Sequence, residues 1–243
     1  MISEVQKIYS FGAPELQPYA TLRRPLEHRQ QGIFVAESER VVRRLLASRF
    51  TVVSMVMPER HLESFRASLE ARPEPIAVYL AEKKLLETLT GYSVFQGVFA
   101  VAKIPKLATL EEIYQKSPSP RLFVAVDEMS NAENLGALVR NCAAFGVHGL
   151  IVGETSSSPY LRRAVRNSMG TIFELPIFEI ETVRNGDPNL RRDDPIRQLT
   201  LVKVLHDLRK RGVHCVAAHP HTDKKVLSQA DFTKDCCIVL GNE

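Results

Sequence analysis

The sequence has no tryptophan, few aromatic residues (7%) and four cysteines, none of them in a Cys-x-x-Cys pair. Without stacked aromatics there is no sign of the base-stacking platform that single-strand binders use. Without cysteine pairs, Cys142, Cys215, Cys236 and Cys237 read as reduced core residues, not as a zinc site. No stretch approaches ~18 uninterrupted apolar residues, which excludes a membrane-spanning helix. The start, MISEVQKIYSFG, lacks a basic segment followed by an apolar run, so no secretory signal is visible and the expected location is the cytoplasm. Neither G-x-G-x-x-G nor G-x-x-x-x-G-K-[ST] occurs, which disfavours a small-molecule nucleotide-binding α/β enzyme. What remains is an ordinary globular composition: 243 residues, 44% apolar and 25% charged. That is enough chain for one large domain or two of common size, each with a real core.

The net charge of +4 is unevenly placed. Between Tyr19 and Arg49 there are seven arginines (23, 24, 29, 40, 43, 44, 49) against three glutamates. Arg162, Arg163 and Arg166 form a second knot with no acid among them. A guanidinium fork bonds phosphate bidentately, so such clusters suit a nucleic-acid partner, although charge alone reads equally well as solubility.

Hydrophobic runs alternate with helical periodicity along the chain. IFVAE (33–37), VVSMVM (52–57), IAVYL (76–80) and GVFAVAKI (97–104) read as strands. Ser38 caps a helix carrying Val41, Val42, Leu45 and Leu46, and further helices cover 61–72 and 82–90. This is a compact α/β unit over residues 1–105. A linker at 106–120 follows, with a helical stretch and then the Pro/Ser run KSPSPR. A second α/β pattern occupies 121–243. LFVAVDEM (122–129) is a near-continuous apolar strand, 134–145 a helix stopped by Gly146, GLIVG (149–153) a strand and 160–168 a helix. TIFELPIF (171–178) reads as extended, 196–211 as a helix, and VHCVAA (213–218) and CCIVL (236–240) as strands. Strands separated by helices predict a parallel, doubly wound sheet. The polar stretch 181–198, with Asp-Pro twice, reads as an exposed insertion.

The junction from LFVAVDEM into SNAENLGALVRNCAAFG carries the most information. A parallel strand delivers its C-terminal edge to a crevice, where open α/β sheets bind ligands. Asn134 falls where the helix is expected to begin, among unpaired N–H groups that favour an anion. Gly136 and Ala137 lie one turn before Arg140 and leave room for a phosphate or sugar to reach its guanidinium. Alone, N-x-G-x-x-x-R is weak and equally describes a capped helix with a surface arginine.

The run DEMSNAENLGALVRNCAAFGVHGLIVG resembles motif 1 of the SpoU/TrmH branch of the SPOUT RNA methyltransferases. RRAVRNSMGTIFELPIF resembles the segment that follows in that family, and the final IVLGNE the start of its motif 2. Upstream, LRRPLEHRQQGIFVAESERVVRRLLAS is similar to the L30e-like substrate-binding domain that many members carry in front. The resemblance implies an α/β fold of two parts: an N-terminal L30e-like domain and a C-terminal SPOUT domain with a trefoil knot. It implies methyl transfer from S-adenosylmethionine to a ribose 2′-hydroxyl in structured RNA, by a homodimer. Ribosomal RNA is favoured over transfer RNA, because such a front domain is common in members acting on large-subunit RNA.

By the same resemblance Asn134 and Arg140 match the motif 1 asparagine and arginine, and Glu243 the motif 2 glutamate. Leu240 and Gly241 match backbone that lines the cofactor, and Ala218 and His219 the start of the first cofactor loop. Arg140 is expected to hold the target phosphate and polarise the 2′-oxygen, with Asn134 orienting Arg140 or the ribose. An arginine normally keeps its proton, so no general base is assigned. Arg162, Arg163, Arg166 and Ser168 are expected to flank the crevice and grip phosphates, with Arg23, Arg24 and Arg29 holding RNA further out. His219, His221 and Asp223 read as a loop after a strand, with too few ligands for a metal. The chain stops at Gly-Asn-Glu, in mid-motif, where the family continues through a glycine-rich turn to a Ser-Leu-Asn motif. The favoured expectation is a truncated form of a longer enzyme; the alternative is a non-catalytic RNA-binding relative.

Overall fold

The computed structural model describes residues 2–91, 97–180, 200–219 and 226–241. The 181–198 insertion, His221, Asp223 and Glu243 therefore lie outside the described residues. The chain divides into two units: Met1–Lys106 with Tyr160–Glu174, and Leu107–Pro159 with Leu175–Glu243.

The first unit runs β1 (Ile2–Lys7), α1 (Gln17–Ala20), α2 (Pro25–Gln30), β2 (Ile33–Glu37), α3 (Glu39–Ala47), β3 (Val52–Met57), α4 (Leu62–Glu70), β4 (Ile76–Leu80), α5 (Lys83–Thr90) and β5 (Phe99–Lys103). Its sheet has the order β1-β4-β3-β5-β2, with β1, β4 and β3 parallel and β5 antiparallel to both β3 and β2. Four of these strands are the predicted ones. β1 had no sequence signal, because five of its six residues are exposed and no buried alternation marks it. Ser38 caps α3 as expected, accepting from the Val41 N–H, and Val41, Val42, Leu45 and Leu46 are buried.

Past α3, Arg72 acts as a buried clasp. Its guanidinium donates to the carbonyls of Leu46 at 2.9 Å and Phe50 at 2.6 Å, and to Glu74 at 2.6 Å. Burial pushes the Glu74 carboxyl up, but hydrogen bonds from Arg72 and the Val52 N–H outweigh it and hold the group below its ordinary value. A carboxylate lowered in the native state contributes stability that is full above its unfolded value and lost as pH falls through its native one. Urea midpoints of the wild type should therefore drop on acidification below ~4.5, the ordinary Glu range, and Glu74→Gln should flatten that limb. An unchanged acid limb in Glu74→Gln would remove this role.

The second unit runs α6 (Leu110–Lys116), β6 (Leu122–Val126), α7 (Ala132–Ala144), β7 (Gly149–Val152), β8 (Ile177–Glu179), α9 (Leu201–Lys210), β9 (His214–Ala218) and β10 (Cys236–Leu240); the helix between β7 and β8, α8 (Arg162–Asn167), belongs to the first unit. All pairings in its sheet are parallel, in the order β8-β7-β6-β10-β9. That agrees with the parallel sheet expected from continuous apolar strands, and β6 and β7 are buried almost throughout. One face of the sheet, with Phe123, Ala125, Ile151 and Cys237, shares a core with Ile113 of α6 and Leu201, Val204 and Leu208 of α9. Gly146 ends α7 as predicted: at φ 67° it lets its own N–H reach Ala143 and the Val147 N–H reach Cys142, closing the helix carbonyls.

The helical stretch expected within the 106–120 segment forms α6, held by a reciprocal cap between Thr109 and Glu112. Two other sequence expectations differ from the structure. Residues 171–178, read as extended, form a 3-10 turn at Thr171–Phe173 before the short β8, because Gly170 enters the left-handed region at φ 86° and turns the chain. Residues 160–174, read as part of the second domain, join the first unit. There Tyr160 and Phe173 pack on Phe34 and Phe50, with ring centroids 5.2–6.3 Å apart.

Candidate functional site

The order of the second sheet reverses between β6 and β10. β7 and β8 extend outward from β6, while β10 inserts between β6 and β9. The ladder registers place Ala218, Leu240, Val126, Val152 and Glu179 at one level, so all five strands end together. The crevice beyond the carboxyl ends at such a reversal is the usual ligand position of an open parallel sheet. Asp127, Gly241 and His219 are the first residues past that level. The Asp127 N–H donates to the Leu240 carbonyl at 2.9 Å, which binds the two central strands at their tips.

The loop from β6 to α7 is held by a run of hydroxyls that the sequence reading missed. The Glu128 N–H donates to Thr155 Oγ1 at 3.2 Å, and the Met129 N–H to Ser156 Oγ at 3.1 Å. The Ser157 N–H donates to the Met129 carbonyl at 2.9 Å, and the Ser157 hydroxyl to Ser130 O. Glu128 sits at φ 53°, a conformation these bonds hold in place. The available signal was the run Thr155-Ser156-Ser157-Ser158, two residues past Gly153 at the end of β7. Gly153 itself admits no side chain, since a Cβ there would stand 2.7 Å from the Val126 carbonyl oxygen. Gly153→Ala should therefore displace the hydroxyl run and expose the 127–131 loop. Hydrogen exchange should show faster exchange at Glu128 and Met129; unchanged protection would contradict the packing.

The helix itself starts earlier than expected. Asn131 is its cap, and its side chain accepts from the N–H groups of Glu133 at 2.8 Å and Asn134 at 3.2 Å. Asn134 is thus a first-turn residue whose own N–H is already satisfied, not an open anion donor. Its side chain and that of Arg140 are exposed. The two residues are six apart in α7, so they stand about 9 Å apart along the axis and about 120° apart around it. Among the described residues no hydrogen bond joins the two side chains, and the helix sets them on different faces. Gly136, at i−4, and Ala137, at i−3, do share the face of Arg140. No ion pair engages Arg140 among the described residues.

The cofactor candidates sit at the strand tips. Leu240 is half-buried, Ala218, His219 and Gly241 are exposed, and none of the described residues comes within 4 Å of where a Cβ of Gly241 would stand. These four residues lie at or just past the carboxyl ends of β9 and β10. Among the described residues no group of three or more His, Cys, Asp or Glu is placed to hold a metal.

The arginine candidates separate sharply. Ser168 is fully buried; its hydroxyl donates to the Val165 carbonyl at 2.7 Å and accepts from the Gly170 N–H at 3.1 Å. It holds a turn and cannot contact RNA as expected. Arg162 is mostly buried against the buried Glu37, and Arg166 reaches the same carboxylate at 3.2 Å while remaining half exposed. Arg162 is spent inside the first unit, which corrects its assignment to phosphate. Arg163 is exposed. Arg23 is exposed yet donates to the Thr90 carbonyl at 2.8 Å, Arg24 is exposed and paired to Glu27, and Arg29 is half-buried.

Residues 121–194 match the SpoU rRNA Methylase family. Over 71% of its length the chain is 29% identical to an uncharacterized tRNA/rRNA methyltransferase of Mycobacterium bovis, covering 60% of that protein. It is 31% identical, over 68% of its length and 56% of the relative, to the 23S rRNA (guanosine-2′-O-)-methyltransferase RlmB of Nitrosomonas europaea. The chain thus spans 60% or less of these relatives. Its fold is similar to the AdoMet-bound rRNA methyltransferase from Sinorhizobium meliloti, with a TM-score of 0.73 and 20% identity over 98% of this chain and 82% of that one.

Proposed function

Because the chain is a member of the SpoU/TrmH family, we propose that it transfers a methyl group from S-adenosylmethionine to a ribose 2′-hydroxyl in structured RNA, with ribosomal RNA favoured over transfer RNA. The observation that carries the reading is the meeting of two motifs at one sheet edge. β6 leads into the helix of Arg140, and its in-register neighbour β10 ends at Leu240 and Gly241. In this reading the first unit is the L30e-like RNA-binding part, and the second carries the catalytic centre and the trefoil knot. The protein acts as a cytoplasmic homodimer.

The residues present suit such a cofactor. Backbone at Leu240 and Gly241, with Ala218 and His219 at the tip of the neighbouring strand, offers peptide groups and partly exposed side chains to a nucleoside. The cofactor supplies a methyl group already activated on a sulfonium, so the protein mainly supplies alignment and proton handling. Arg140, exposed over the small residues Gly136 and Ala137, binds the target phosphate and turns the adjacent 2′-oxygen toward the methyl. Its positive charge also favours the alkoxide character that develops as the hydroxyl proton leaves. Asn134 contacts the ribose from the first helical turn, independently of Arg140. Glu243 is assigned by motif to the same centre.

The test is calorimetric titration with S-adenosylmethionine, followed by labelled methyl transfer to ribosomal and transfer RNA with nucleoside analysis of the product. Cofactor binding and a 2′-O-methylnucleoside are expected. RNA binding without cofactor binding would replace the reading by a non-catalytic RNA binder. RNA affinity should fall steeply with salt. Arg163→Ala should lower that affinity and shallow the salt slope by about one counterion, without changing the melting temperature. A salt slope equal to wild type would take Arg163 off the RNA surface.

A further inference from the structure

Three of the four cysteines lie on neighbouring strands at one edge of the second sheet. Cys215 of β9 and Cys237 of β10 are direct partners in the parallel ladder. Adjacent strands run about 4.8 Å apart, inside the Cα separation that a disulfide spans. Alternation along β10 turns Cys236 to the opposite face, so the pairing is selective. On the α9 side, Cys237 belongs to the core and Cys215 packs at its margin, partly exposed, with its thiol directed at the Leu205 carbonyl at 3.8 Å. Both thiols are free.

We propose that Cys215 and Cys237 form a reversible redox pair that staples β9 to β10 in response to a hydroperoxide. The exposed partner reacts first. The Cys215 thiolate attacks one peroxide oxygen, the O–O bond breaks, and water or an alcohol leaves once protonated, giving a sulfenic acid. The Cys237 sulfur then attacks Cys215 Sγ, the S–O bond breaks, and the hydroxyl departs as water with the Cys237 proton. Two thiols are oxidised and one peroxide is reduced. A second feature favours this order. The hydrogen bond from Cys237 and the charge of Arg209 lower the Cys215 thiol against the opposing effect of burial, while the Cys237 thiol is raised. Cys142, by contrast, is raised to about 11 by burial and stays inert.

The staple would form three residues before Ala218 and Leu240, on an edge strand whose last two residues are exposed. The experiment treats the full chain with hydrogen peroxide, blocks remaining thiols, digests it without reductant and maps linked peptides. A link between the Cys215 and Cys237 peptides, reversed by dithiothreitol, is the expected result. It should persist in Cys236→Ser and vanish in Cys215→Ser and Cys237→Ser. Because Cys215 is partly exposed, its variant serves even where the buried Cys237→Ser fails to fold. Hydrogen exchange across His214–Ala218 should slow on oxidation. The proposal is overturned by a wild type carried to sulfinic acid without a link, by a link that survives Cys237→Ser, or by unchanged exchange in the linked protein. None of these readouts needs RNA or S-adenosylmethionine, so the result stands apart from the methyl-transfer reading.

Discussion

Arg140→Ala should lower methyl transfer to RNA by about 10²–10³-fold, the range for removing one charge-stabilising donor from a preorganised site. The same substitution should leave folding almost untouched. Arg140 lies on the exposed face of α7, while Leu135, Val139 and Cys142 hold the helix to the core. Exposed changes of this kind stay within about 0.5 kcal/mol. The diagnostic is therefore a large drop in kcat with an unchanged urea midpoint and unchanged cofactor affinity. Arg140→Lys keeps the charge and loses the planar fork, so it should recover only part of the rate. Turnover near wild type in Arg140→Ala would remove the residue from the mechanism. A parallel loss of stability would instead make it structural.

Arg162→Ala should do the reverse. It leaves the buried Glu37 carboxylate facing the half-exposed Arg166 in place of two arginines. Breaking a buried pair from one side costs about 3–5 kcal/mol, because a desolvated charge is left behind. Arg166 should hold the loss near the lower end of that range. Equilibrium urea unfolding gives the number. The double variant Glu37→Leu with Arg162→Met should recover much of it, since an apolar replacement of both partners removes the stranded charge. A single variant within 0.5 kcal/mol of wild type, on that ~1 kcal/mol scale of ordinary substitutions, would show the pair to be dispensable. Together with Arg163→Ala, this separates arginines on one helix that composition treats alike.

Much was readable before any coordinates. Apolar runs at strand length and Gly or Pro stops gave most of the strands and helices, because burial in a parallel sheet demands such runs. The Gly146 stop and the Ser38 cap were readable for the same local reason: a single residue type satisfies orphaned helix groups. The junction of β6 and α7 was recognisable as a strand end running into a helix start, since chain order alone puts the end of a parallel strand beside a helix start.

Three things were decided only by tertiary packing. The first is where charge is free. Arg162 and Arg163 are adjacent and identical in type, yet one is neutralised by a carboxylate 125 positions away and the other is exposed. The second is the membership of residues 160–174, fixed by Phe34 and Phe50 meeting Tyr160 and Phe173, a contact no local pattern encodes. The third is the strand order that seats β10 between β6 and β9. It brings Leu240 level with Val126 and Cys237 level with Cys215. Periodicity determines which residues a strand buries, but only pairing between distant segments determines which strand ends meet, and the proposed chemistry depends on those ends.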